Sequence, residues 1–412
     1  MTDTPTCRAC GAPLTQTFAN LGLSPVSNAF IKPEDAARGE MFYPLHALVC
    51  GHCWLVQLSD VAHAETHFHD DYVYFSSFSQ SWLAHAQRYV EAMIPRFGLT
   101  DASRVVEIAS NDGYLLQYFV KAGIPCFGVE PTANTAAAAR KIGVDSRELF
   151  FGRDTARQLA QEGGQVDLLL GNNVLAHVPD INDFVGGMPL LLKPEGVITL
   201  EFPHLLKLMQ QNQFDTLYHE HYSYLSLTAL LPIFQRAGLR FFDVEHLPTH
   251  GGSLRVYACH QAAAHADTGA VAACLQQETR TGLTQLETYA AFGEKVRETK
   301  RALLEFLIGA KRAGKRIAAY GAAAKGNTLL NYCGVGSDFI DYAVDLNPTK
   351  QRRLLPGTRI PVRAPDTVFD TRPDYLLILP WNIKDEIVQQ MAGIRAWGGQ
   401  FVIPIPTVEV IE

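Results

Sequence analysis

The sequence predicts an α/β protein in which a small metal-binding domain precedes two doubly wound parallel sheets. The chain has 412 residues, more than one ordinary hydrophobic core accommodates. Short apolar segments alternate with helical patterns from Arg104 to Glu201 and again from Arg316 to Pro404. Near the N-terminus, four of the eight cysteines form two Cys-x-x-Cys pairs. We therefore predict three domains, at residues 1–68, 69–262 and 263–412.

The composition is that of a globular protein and argues against a general binder of nucleic acid or membrane surfaces. Hydrophobic residues make up 47% of the chain, charged residues 19%, and the formal net charge is -7. The segment Thr2–Thr6 is neither basic nor apolar, as a secretory signal would be. No apolar run approaches the ~20 residues that span a bilayer. We expect a cytoplasmic protein that is a monomer or a weak homo-oligomer.

The paired cysteines indicate a structural zinc site. Cys7 and Cys10 form one knuckle and Cys50 and Cys53 another, so that four thiolates can surround one tetrahedral ion. In a reducing compartment such pairs favour a metal over disulfides. The intervening loop is longer than in a minimal zinc ribbon, and free thiols or a redox pair are the alternatives. Four cysteine ligands leave no open position, so we expect no part for zinc in the chemistry.

An aromatic and hydroxyl-rich segment, Asp70–Ser79, follows the cysteine region. An amphipathic helix is predicted directly after it, from Ser81 to Phe97. The aromatic residues, Tyr72 among them, fit core packing, a lid over a ligand, or both. Periodicity does not separate these interpretations.

The central segment predicts a parallel sheet followed by an antiparallel pair of strands. Buried strands are predicted at Arg104–Ser110, Cys126–Glu130, Val166–Leu170 and Gly196–Glu201. Helices are predicted from near Tyr114 and over residues 132–142, 153–161 and 181–192. Two later strands, joined by a turn rather than a helix, are predicted at Arg240–Glu245 and Gly252–Ala258.

Glu130, at the end of the second predicted strand, marks a candidate ligand site. In a doubly wound sheet the ligand lies across the carboxyl ends of the strands, where an acid accepts both hydroxyls of a ribose. The turn Ala109–Gly113 lets a ligand approach the backbone. It lacks the Gly-x-Gly-x-x-Gly pattern of a pyrophosphate cradle, which favours a nucleoside such as S-adenosylmethionine over a dinucleotide. A purely structural turn is the remaining alternative.

The C-terminal part predicts a second α/β unit that resembles a nucleotide-binding domain. Residues 262–316 predict a long helical segment. A small-residue turn, Gly321–Thr328, enters the next helix, and Lys325 and Lys350 are available to phosphate. An ordinary accessory domain is the alternative. Its strands are predicted at Arg316–Tyr320, Asp341–Asp345, Tyr375–Leu379 and Gln400–Pro404.

The segment Leu217–Leu225 holds two histidines, one glutamate and three tyrosines. An imidazole exchanges a proton near neutral pH, a carboxylate can orient it, and a phenol can donate to a developing oxyanion. The segment therefore indicates acid/base chemistry. The alternative is a half-buried helix start, and Tyr222 and Tyr224 fit packing better than chemistry.

Taken together in their order, these motifs resemble the S-adenosylmethionine-dependent C-methyltransferases of nucleotide-linked keto-deoxysugars over essentially the whole chain. The resemblance implies a class I methyltransferase sheet of the Rossmann-like type in the centre, and a sugar nucleotide bound mainly by the second Rossmann-like α/β domain. It implies a dTDP-linked sugar, with GDP and CDP as alternatives. The motifs that carry it are the cysteine pairs, residues 107–116, 128–132, 171–180, 201–204, 218–221 and 320–326.

The resemblance also assigns roles to individual residues. Glu130 would hold the donor ribose, and the turn before it would line the methionine part. The implied donor-binding residues are Glu107, Ala109, Asn111, Gly113, Tyr114, Leu115, Glu130, Pro131, Asn172 and Asn173. The implied catalytic residues are Tyr72, His177, Tyr218, Glu220 and His221. The implied substrate-binding residues are His177, Tyr218, His221, Tyr320, Gly321, Lys325, Gly326, Asn327, Asp345 and Lys350.

The expected reaction is methyl transfer to a sugar carbon, C3, next to a 4-keto group. His221, tuned by Glu220, would remove the proton from that carbon, and Tyr218 and His177 would stabilise the enolate oxygen. One alternative is a non-catalytic protein that binds sugar nucleotides and S-adenosylmethionine. The other is a nicotinamide-dependent epimerase or dehydrogenase.

Overall fold

The computed structural model describes residues 4–59 and 75–411, which form three sheets. The first is antiparallel, and its fourth strand comes from the middle of the chain. The sequence predicts none of these strands, because register shifts interrupt the alternation of the first strand and the third has only three residues. In sheet order they are β1 Gln16–Ser24, β2 Tyr43–Val49, β3 Val56–Leu58 and β9 Ser223–Tyr224.

The second sheet confirms the doubly wound architecture with a late antiparallel pair. Its seven strands lie in the order β10-β11-β8-β7-β4-β5-β6, and all pairings are parallel except the two that involve β11. Ligand-binding loops therefore leave the carboxyl ends of β4, β5, β7 and β8 at one edge. The strands are β4 Val105–Ile108, β5 Cys126–Val129, β6 Ser146–Arg147, β7 Val166–Asn172, β8 Leu192–Pro203, β10 Leu239–Leu247 and β11 Ser253–His260.

Helices cover both faces of this sheet, and three of them, the first, the fifth and the seventh, begin at a residue whose side chain caps the helix. The Ser79 side chain accepts from the Trp82 amide at the start of the first helix, and Gly98 ends that helix in the left-handed region. Asp180 caps the fifth helix in the same way as Ser79. The helices are α1 Gln80–Phe97, α2 Leu116–Lys121, α3 Ala133–Lys141, α4 Arg153–Gly163, α5 Ile181–Leu191, α6 Leu205–Gln210 and α7 Leu227–Arg236.

The segment Leu217–Leu225 does not start a helix, so that interpretation is wrong. It forms a turn, and then β9 pairs with β3 of the first sheet. The Leu58 amide donates to the Tyr222 carbonyl at 3.0 Å, and the Tyr222 amide donates to Ala176 at 2.7 Å. The His- and Tyr-rich segment is therefore fixed between the first and second sheets.

The third sheet is parallel except for its last strand and has the order β14-β13-β12-β15-β16-β17. Its strands are β12 Ile317–Tyr320, β13 Ala343–Val344, β14 Val362–Arg363, β15 Tyr375–Ile378, β16 Gln400–Ile403 and β17 Glu409–Ile411. The remaining helices are α8 Ala270–Arg280, α9 Leu286–Arg312, α10 Ala324–Cys333, α11 Thr367–Thr371 and α12 Lys384–Gln390.

The predicted long helix over residues 262–316 is two helices, α8 and α9. The chain turns between them at Gly282, whose φ of +86° suits glycine. A Cβ at this position would lie 2.3 Å from the Thr288 hydroxyl oxygen. One glycine among helix-forming neighbours is a weak signal in a sequence, which explains the missed break.

The first and third sheets share one hydrophobic core through α9. The Phe18 ring of β1 stacks on Phe292 of α9 with centroids 4.6 Å apart. Helix α8 instead joins the second sheet, because its buried Glu278 accepts a 2.7 Å hydrogen bond from His204. All three sheets thus meet around the segment that leads into β9. Within the described residues, no helix combines the length and apolar character needed to cross a membrane.

Gly128 in β5 offers a test of this packing. A Cβ there would lie 2.0 Å from the Ser110 hydroxyl oxygen and 2.5 Å from its Cβ. We expect Gly128→Ala to lower the free energy of unfolding by about 3 kcal/mol, because the donor-side turn has to move. The control is Gly309→Ala on the exposed side of α9, where nothing lies within 4 Å. That variant should gain about 0.5–1 kcal/mol. Calorimetry that ranks the two variants alike would contradict the packing described.

Candidate active site

The turn after β4 has an unusual backbone. Ala109, Asn111 and Gly113 have φ values of +57°, +49° and +78°, all in the left-handed region. Glycine adopts this region freely and asparagine tolerates it, whereas alanine pays a cost in conformational free energy. Such strain concentrates at functional sites. Two side chains of the turn accept hydrogen bonds from the segment just before α1. The Ser76 amide donates to the Asn111 side chain, and the Ser77 amide donates to the Asp112 side chain.

Glu130 follows β5 and is fixed by backbone donors. Its carboxylate accepts the Asn111 and Thr132 amides at 2.9 Å each, together with the Thr132 hydroxyl. Burial raises the pKa of Glu130, and these donors only partly offset the effect. The carboxylate is thereby aimed across the carboxyl edge of the sheet, where it can accept hydroxyl groups.

Two further acids at this edge have buried oxygens with little support from the described chain. They are both carboxylate oxygens of Glu107 and Oδ1 of Asp112. Burial raises the pKa of Glu107 well above its ordinary value, and the neighbouring Tyr114 hydroxyl offsets this only in part. A buried acid with so little support inside the protein is costly unless a ligand supplies donors or positive charge. S-adenosylmethionine carries both an ammonium and a sulfonium group, so the acids fit this ligand.

The other predicted donor residues have different surroundings. The Asn172 amide donates to the Tyr114 hydroxyl at 3.3 Å, so these two residues form one wall. Leu115 is completely buried in the core, which leaves only its backbone for a ligand. Pro131 lies between Glu130 and the start of α3. Direct contacts of these residues with the donor stay predictions.

The four predicted zinc ligands come together. Sγ of Cys7 lies 3.5 Å from Sγ of Cys53, and Cys10 and Cys50 are 3.6 Å apart. All four sulfur atoms are within 4.8 Å of one another. Tetrahedral zinc with bonds of about 2.3 Å separates its sulfur ligands by about 3.8 Å, so the cluster fits the ion. Gln57 donates to the Cys7 sulfur at 3.1 Å, as a group that supports a thiolate ligand should.

Arg8, between the first two cysteines, connects this cluster with the segment 217–225. Its guanidinium donates to the Leu58 carbonyl at 2.7 Å and to the Pro179 carbonyl at 2.8 Å. It also lies over the Tyr222 ring, 5.2 Å from the centroid. The zinc knuckle therefore contacts the two loops that carry His177 and His221.

His177, Tyr218 and His221 form one cluster. The rings of His177 and His221 are 4.6 Å apart, and those of Tyr218 and His221 are 4.0 Å apart. His221 Nδ1 lies 2.9 Å from the Thr216 carbonyl, which can only accept, so Nδ1 carries the proton. The free lone pair of Nε2 accepts from the Tyr218 hydroxyl at 2.8 Å. Burial and the neighbouring His177 hold the pKa of His221 well below its ordinary value, which keeps the ring neutral.

Glu220 does not orient His221, which corrects the expectation that it tunes this imidazole. Its carboxylate accepts from Asn28 Nδ2 at 2.7 Å, on the side of the first sheet. His219, the residue before it, also contacts the first sheet, with Nε2 lying 3.2 Å from the Pro44 carbonyl. Burial raises the pKa of Glu220 to about 7, although Asn28 and the charge of Lys350 oppose the shift.

Lys325 of α10 reaches the same cluster from the third sheet. Its ammonium donates to the Asn382 side chain at 2.7 Å and lies 4.6 Å from the Trp381 ring centroid. Burial lowers the pKa of Lys325, and the nearby Asp215 partly compensates. The positive charge of Lys325 in turn lowers the pKa of His221. The structure thus brings this lysine, predicted as a phosphate partner, close to the histidines that are predicted to be catalytic.

The other predicted substrate residues are engaged within the protein. Tyr320 donates to Gln390, Asn327 to the Ser27 carbonyl and Lys350 to the Ala322 carbonyl. The Asp345 carboxylate accepts the Ala322 amide. Gly321 and Gly326 allow close approach, because a Cβ at either position would meet the side chains of Pro380 or Leu379. Their contacts with a substrate stay predictions. Tyr72 lies outside the described residues.

The sequence does not predict a second polar group beside the site. Glu201 at the end of β8 accepts from His85 at 2.8 Å, Arg255 at 2.7 Å and Thr249 at 2.8 Å. Burial opposes its ionisation, but His85 and Arg255 outweigh burial and bring the pKa of Glu201 to about 2. An acid at a strand end, like Glu130, is the signal that could have identified Glu201.

A doubly wound sheet with a ribose-type acid after its second strand and an acid/base cluster at the same edge defines a class I, S-adenosylmethionine-dependent methyltransferase. Family models match residues 7–68 as "Putative zinc binding domain", 82–244 as "Methyltransferase domain" and 248–406 as "C-methyltransferase C-terminal domain". The C-methyltransferase NovU of Streptomyces niveus is 37% identical over 406 residues, which cover 98% of this chain and 96% of NovU. The chain therefore belongs to the S-adenosylmethionine-dependent C-methyltransferase family.

Other similarities are confined to parts of the chain. A ubiquinone biosynthesis O-methyltransferase of Rhodopseudomonas palustris (strain BisA53) is 29% identical over 97 residues, which cover 24% of this chain and 38% of that protein. The structure of an S-adenosylmethionine-dependent methyltransferase from Anabaena variabilis is 16% identical, with a TM-score of 0.36. The matched part covers 43% of this chain and 86% of that chain. That score is too low to add to the fold described above.

Zinc content tests the cysteine cluster. We expect one zinc ion per chain in the purified protein, and well under one in Cys50→Ser, because the site loses a thiolate that also accepts two backbone amides. Cys126→Ser, outside the cluster, is the control and should keep its zinc. Elemental analysis after dialysis gives the answer, and full zinc in Cys50→Ser would contradict the assignment.

Glu220→Gln tests the raised pKa of this carboxyl. The pKa of this carboxyl group is near 4.5 in the unfolded chain and about 7 in the folded protein. The buried charge therefore destabilises the folded protein, and this destabilisation grows from pH 4.5 to pH 7 and is constant above pH 7. Glu220→Gln should therefore match the wild type near pH 4.5 and be about 2 kcal/mol more stable above pH 7. Thermal denaturation across this pH range measures the difference, with the surface variant Glu305→Gln as control. A variant that is less stable at high pH would contradict this account.

Proposed function

We propose that the acceptor is a nucleotide-linked 4-keto-deoxysugar, a dTDP-linked one in the first instance, and that the methyl group goes to C3. The observation that carries the proposal is a groove between the first and third sheets with a volume of about 520 Å³. It is lined by four basic residues, Lys32, Arg38, Arg353 and Arg359, and by two acids, Asp35 and Glu40. Asp35 pairs with Arg38 at 2.9 Å. Lys32 and Arg353 have no ion-pair partner within the described chain, which suits the two negative charges of a diphosphate.

The groove leads to the catalytic segment through Asn28. This residue lines the groove and donates to Glu220, the neighbour of His221. Tyr43, also in the lining, packs edge-on against His219 with ring centroids 5.9 Å apart. A diphosphate in the groove would thus place an attached sugar beside Tyr218 and His221. This arrangement uses the first domain as well as the third for substrate binding.

Carbon methylation requires a carbon nucleophile. The sulfonium of S-adenosylmethionine supplies an activated methyl group without a metal ion. A carbon next to a ketone becomes a nucleophile when its proton is removed, because the charge moves to the ketone oxygen as an enolate. NovU is named a C-methyltransferase, which supports a carbon acceptor here.

His221 and Tyr218 are suited to this enolisation. Nε2 of His221 carries no proton, because the proton of the neutral ring is on Nδ1, which donates to the Thr216 carbonyl. When the substrate enters, Nε2 takes the proton from the carbon, and the Tyr218 hydroxyl turns from Nε2 to the enolate oxygen. His177, with its ring 4.6 Å from that of His221, gives the oxygen a second polar neighbour. Glu220 acts from the groove side as a hydrogen-bonding group for the sugar.

The test is a screen of dTDP-, GDP- and CDP-linked 4-keto sugars with labelled methyl donor, read by product mass. The wild type should add one methyl group. In deuterated water with S-adenosylhomocysteine bound, it should also exchange the proton next to the ketone. His221→Ala should slow this exchange by roughly 10²–10⁴-fold, and Tyr218→Phe less. The surface variant His265→Ala should match the wild type.

Three results would contradict the proposal. Wild-type exchange by His221→Ala would remove this residue as the base. Tight binding of donor and sugar nucleotide without any turnover would favour the non-catalytic binding protein. A change in nicotinamide absorbance during turnover would favour the epimerase or dehydrogenase instead.

A further inference from the structure

His250 occupies a strained turn beside the catalytic cluster. It lies between β10 and β11 with φ +52°, and the two glycines after it have φ +85° and +115°. Three successive residues in this region are costly when the first is a histidine. Strain of this kind points to a functional demand on the side chain.

The turn is held firmly at three points. The Thr249 hydroxyl donates to Glu201, which His85 and Arg255 already fix. Gln213 donates to the Gly251 carbonyl at 2.8 Å. A Cβ on Gly251 would lie 2.7 Å from the Trp381 ring, so the third domain packs against the turn. The His250 ring is therefore positioned by elements of both α/β domains.

The hydrogen bonds of His250 define its tautomer. The Asn173 amide nitrogen lies 2.9 Å from His250 Nε2 and can only donate. Nε2 therefore accepts, and the proton resides on Nδ1. Within the described chain, Nδ1–H has no hydrogen-bond partner. Asn173 is itself in the left-handed region, at φ +55° at the end of β7.

The surroundings place His250 between the methyl donor and the base. Its ring meets Trp82 edge-on, with centroids 5.0 Å apart, and Trp82 stacks on Tyr114 of the donor-side turn at 5.9 Å. On the other side, a charge on His250 would lower the pKa of His221, and Lys325 lowers the pKa of both histidines. The ring thus borders the space where donor, sugar and base have to meet.

We propose that His250 is a further catalytic residue, whose Nδ1–H donates a hydrogen bond to the ketone oxygen of the substrate and to the enolate that forms from it. Asn173 is its positioning residue, because it occupies Nε2 and so keeps the proton on Nδ1. This inference rests on the proposed function, since it requires a ketone in the substrate.

A neutral donor suits this reaction. Burial, reinforced by Lys325, lowers the pKa of His250 to about 4, so the ring is uncharged at neutral pH. A charged imidazolium could pass its proton to the enolate oxygen and leave a neutral enol, which is a poorer nucleophile. A neutral imidazole N–H stabilises the negative oxygen without transferring the proton. The carbanion character needed for methyl transfer is thereby retained.

Three substitutions separate this role from packing. The amide nitrogen of asparagine can take the place of Nδ1, whereas that of glutamine takes the place of Nε2, and alanine has neither. Asparagine also tolerates the left-handed backbone. We expect His250→Ala and His250→Gln to lower both kcat and the deuterium exchange rate by roughly 10²–10³-fold, with KM nearly unchanged. His250→Asn should recover a large part of that loss.

The variants are measured as the full zinc-loaded chain with the best keto sugar nucleotide from the screen. His265→Gln is the control, and calorimetry with S-adenosylhomocysteine shows whether the donor site is intact. Asn173→Ala should reduce exchange less than His250→Ala.

The outcomes distinguish this inference from the proposed function. If the wild type exchanges no proton and methylates no keto sugar, the proposed function fails. If the wild type and His265→Gln are active, His221→Ala is inactive and His250→Ala equals the wild type, only the role of His250 is overturned. Weak binding of S-adenosylhomocysteine to His250→Ala with normal exchange would also overturn it, since His250 would then belong to the donor site.

Discussion

The pairing of β9 with β3 is the contact on which the site depends. It inserts Ser223 and Tyr224, just after His221, into the sheet of the zinc-binding domain. The same segment is tied to the second sheet by the Tyr222 amide and to the third by Thr328, which donates to the Leu217 carbonyl at 2.9 Å. A short peptide without helix or long strand would otherwise be free to move. Here it is held by contacts with all three domains, as the approach of methyl donor, acceptor and base within one reaction requires.

This arrangement gives a reason for a zinc site whose cysteines are distant in the sequence from His177 and His221. Arg8 lies between Cys7 and Cys10, and it contacts the loop after His177 and the ring of Tyr222. A zinc ion held by the four cysteines would therefore act by positioning Arg8 rather than through its charge. Helix α9 also connects these parts, because it gives the first and third sheets one core.

Much of the fold could be predicted, because the central strands are continuous apolar segments bounded by turns. The zinc site and the candidate donor-binding acid Glu130 could also be predicted. The first follows from the spacing of the cysteines, and the second from the position of an acid at the end of a strand in a known architecture. The first sheet was not predictable, because β3 and β9 are short and their partners are distant in the chain. The break between α8 and α9 at Gly282 could not be predicted, because no other turn residue flanks this glycine.

The orientation of Glu220 could not be predicted either, since the side to which a turn residue points depends on tertiary contacts such as that with Asn28. His250 carries no local pattern at all, and only the folded turn reveals its strain.

The central claim is that this C-methyltransferase forms a carbon–carbon bond next to a ketone on a sugar. The most direct measurement is NMR of the product made from ¹³C-methyl donor and a ¹³C-labelled 4-keto sugar nucleotide. The account predicts one-bond coupling between the new methyl carbon and C3, the carbon adjacent to the ketone. A methyl group without carbon–carbon coupling, or coupled to a carbon remote from the ketone, would contradict it.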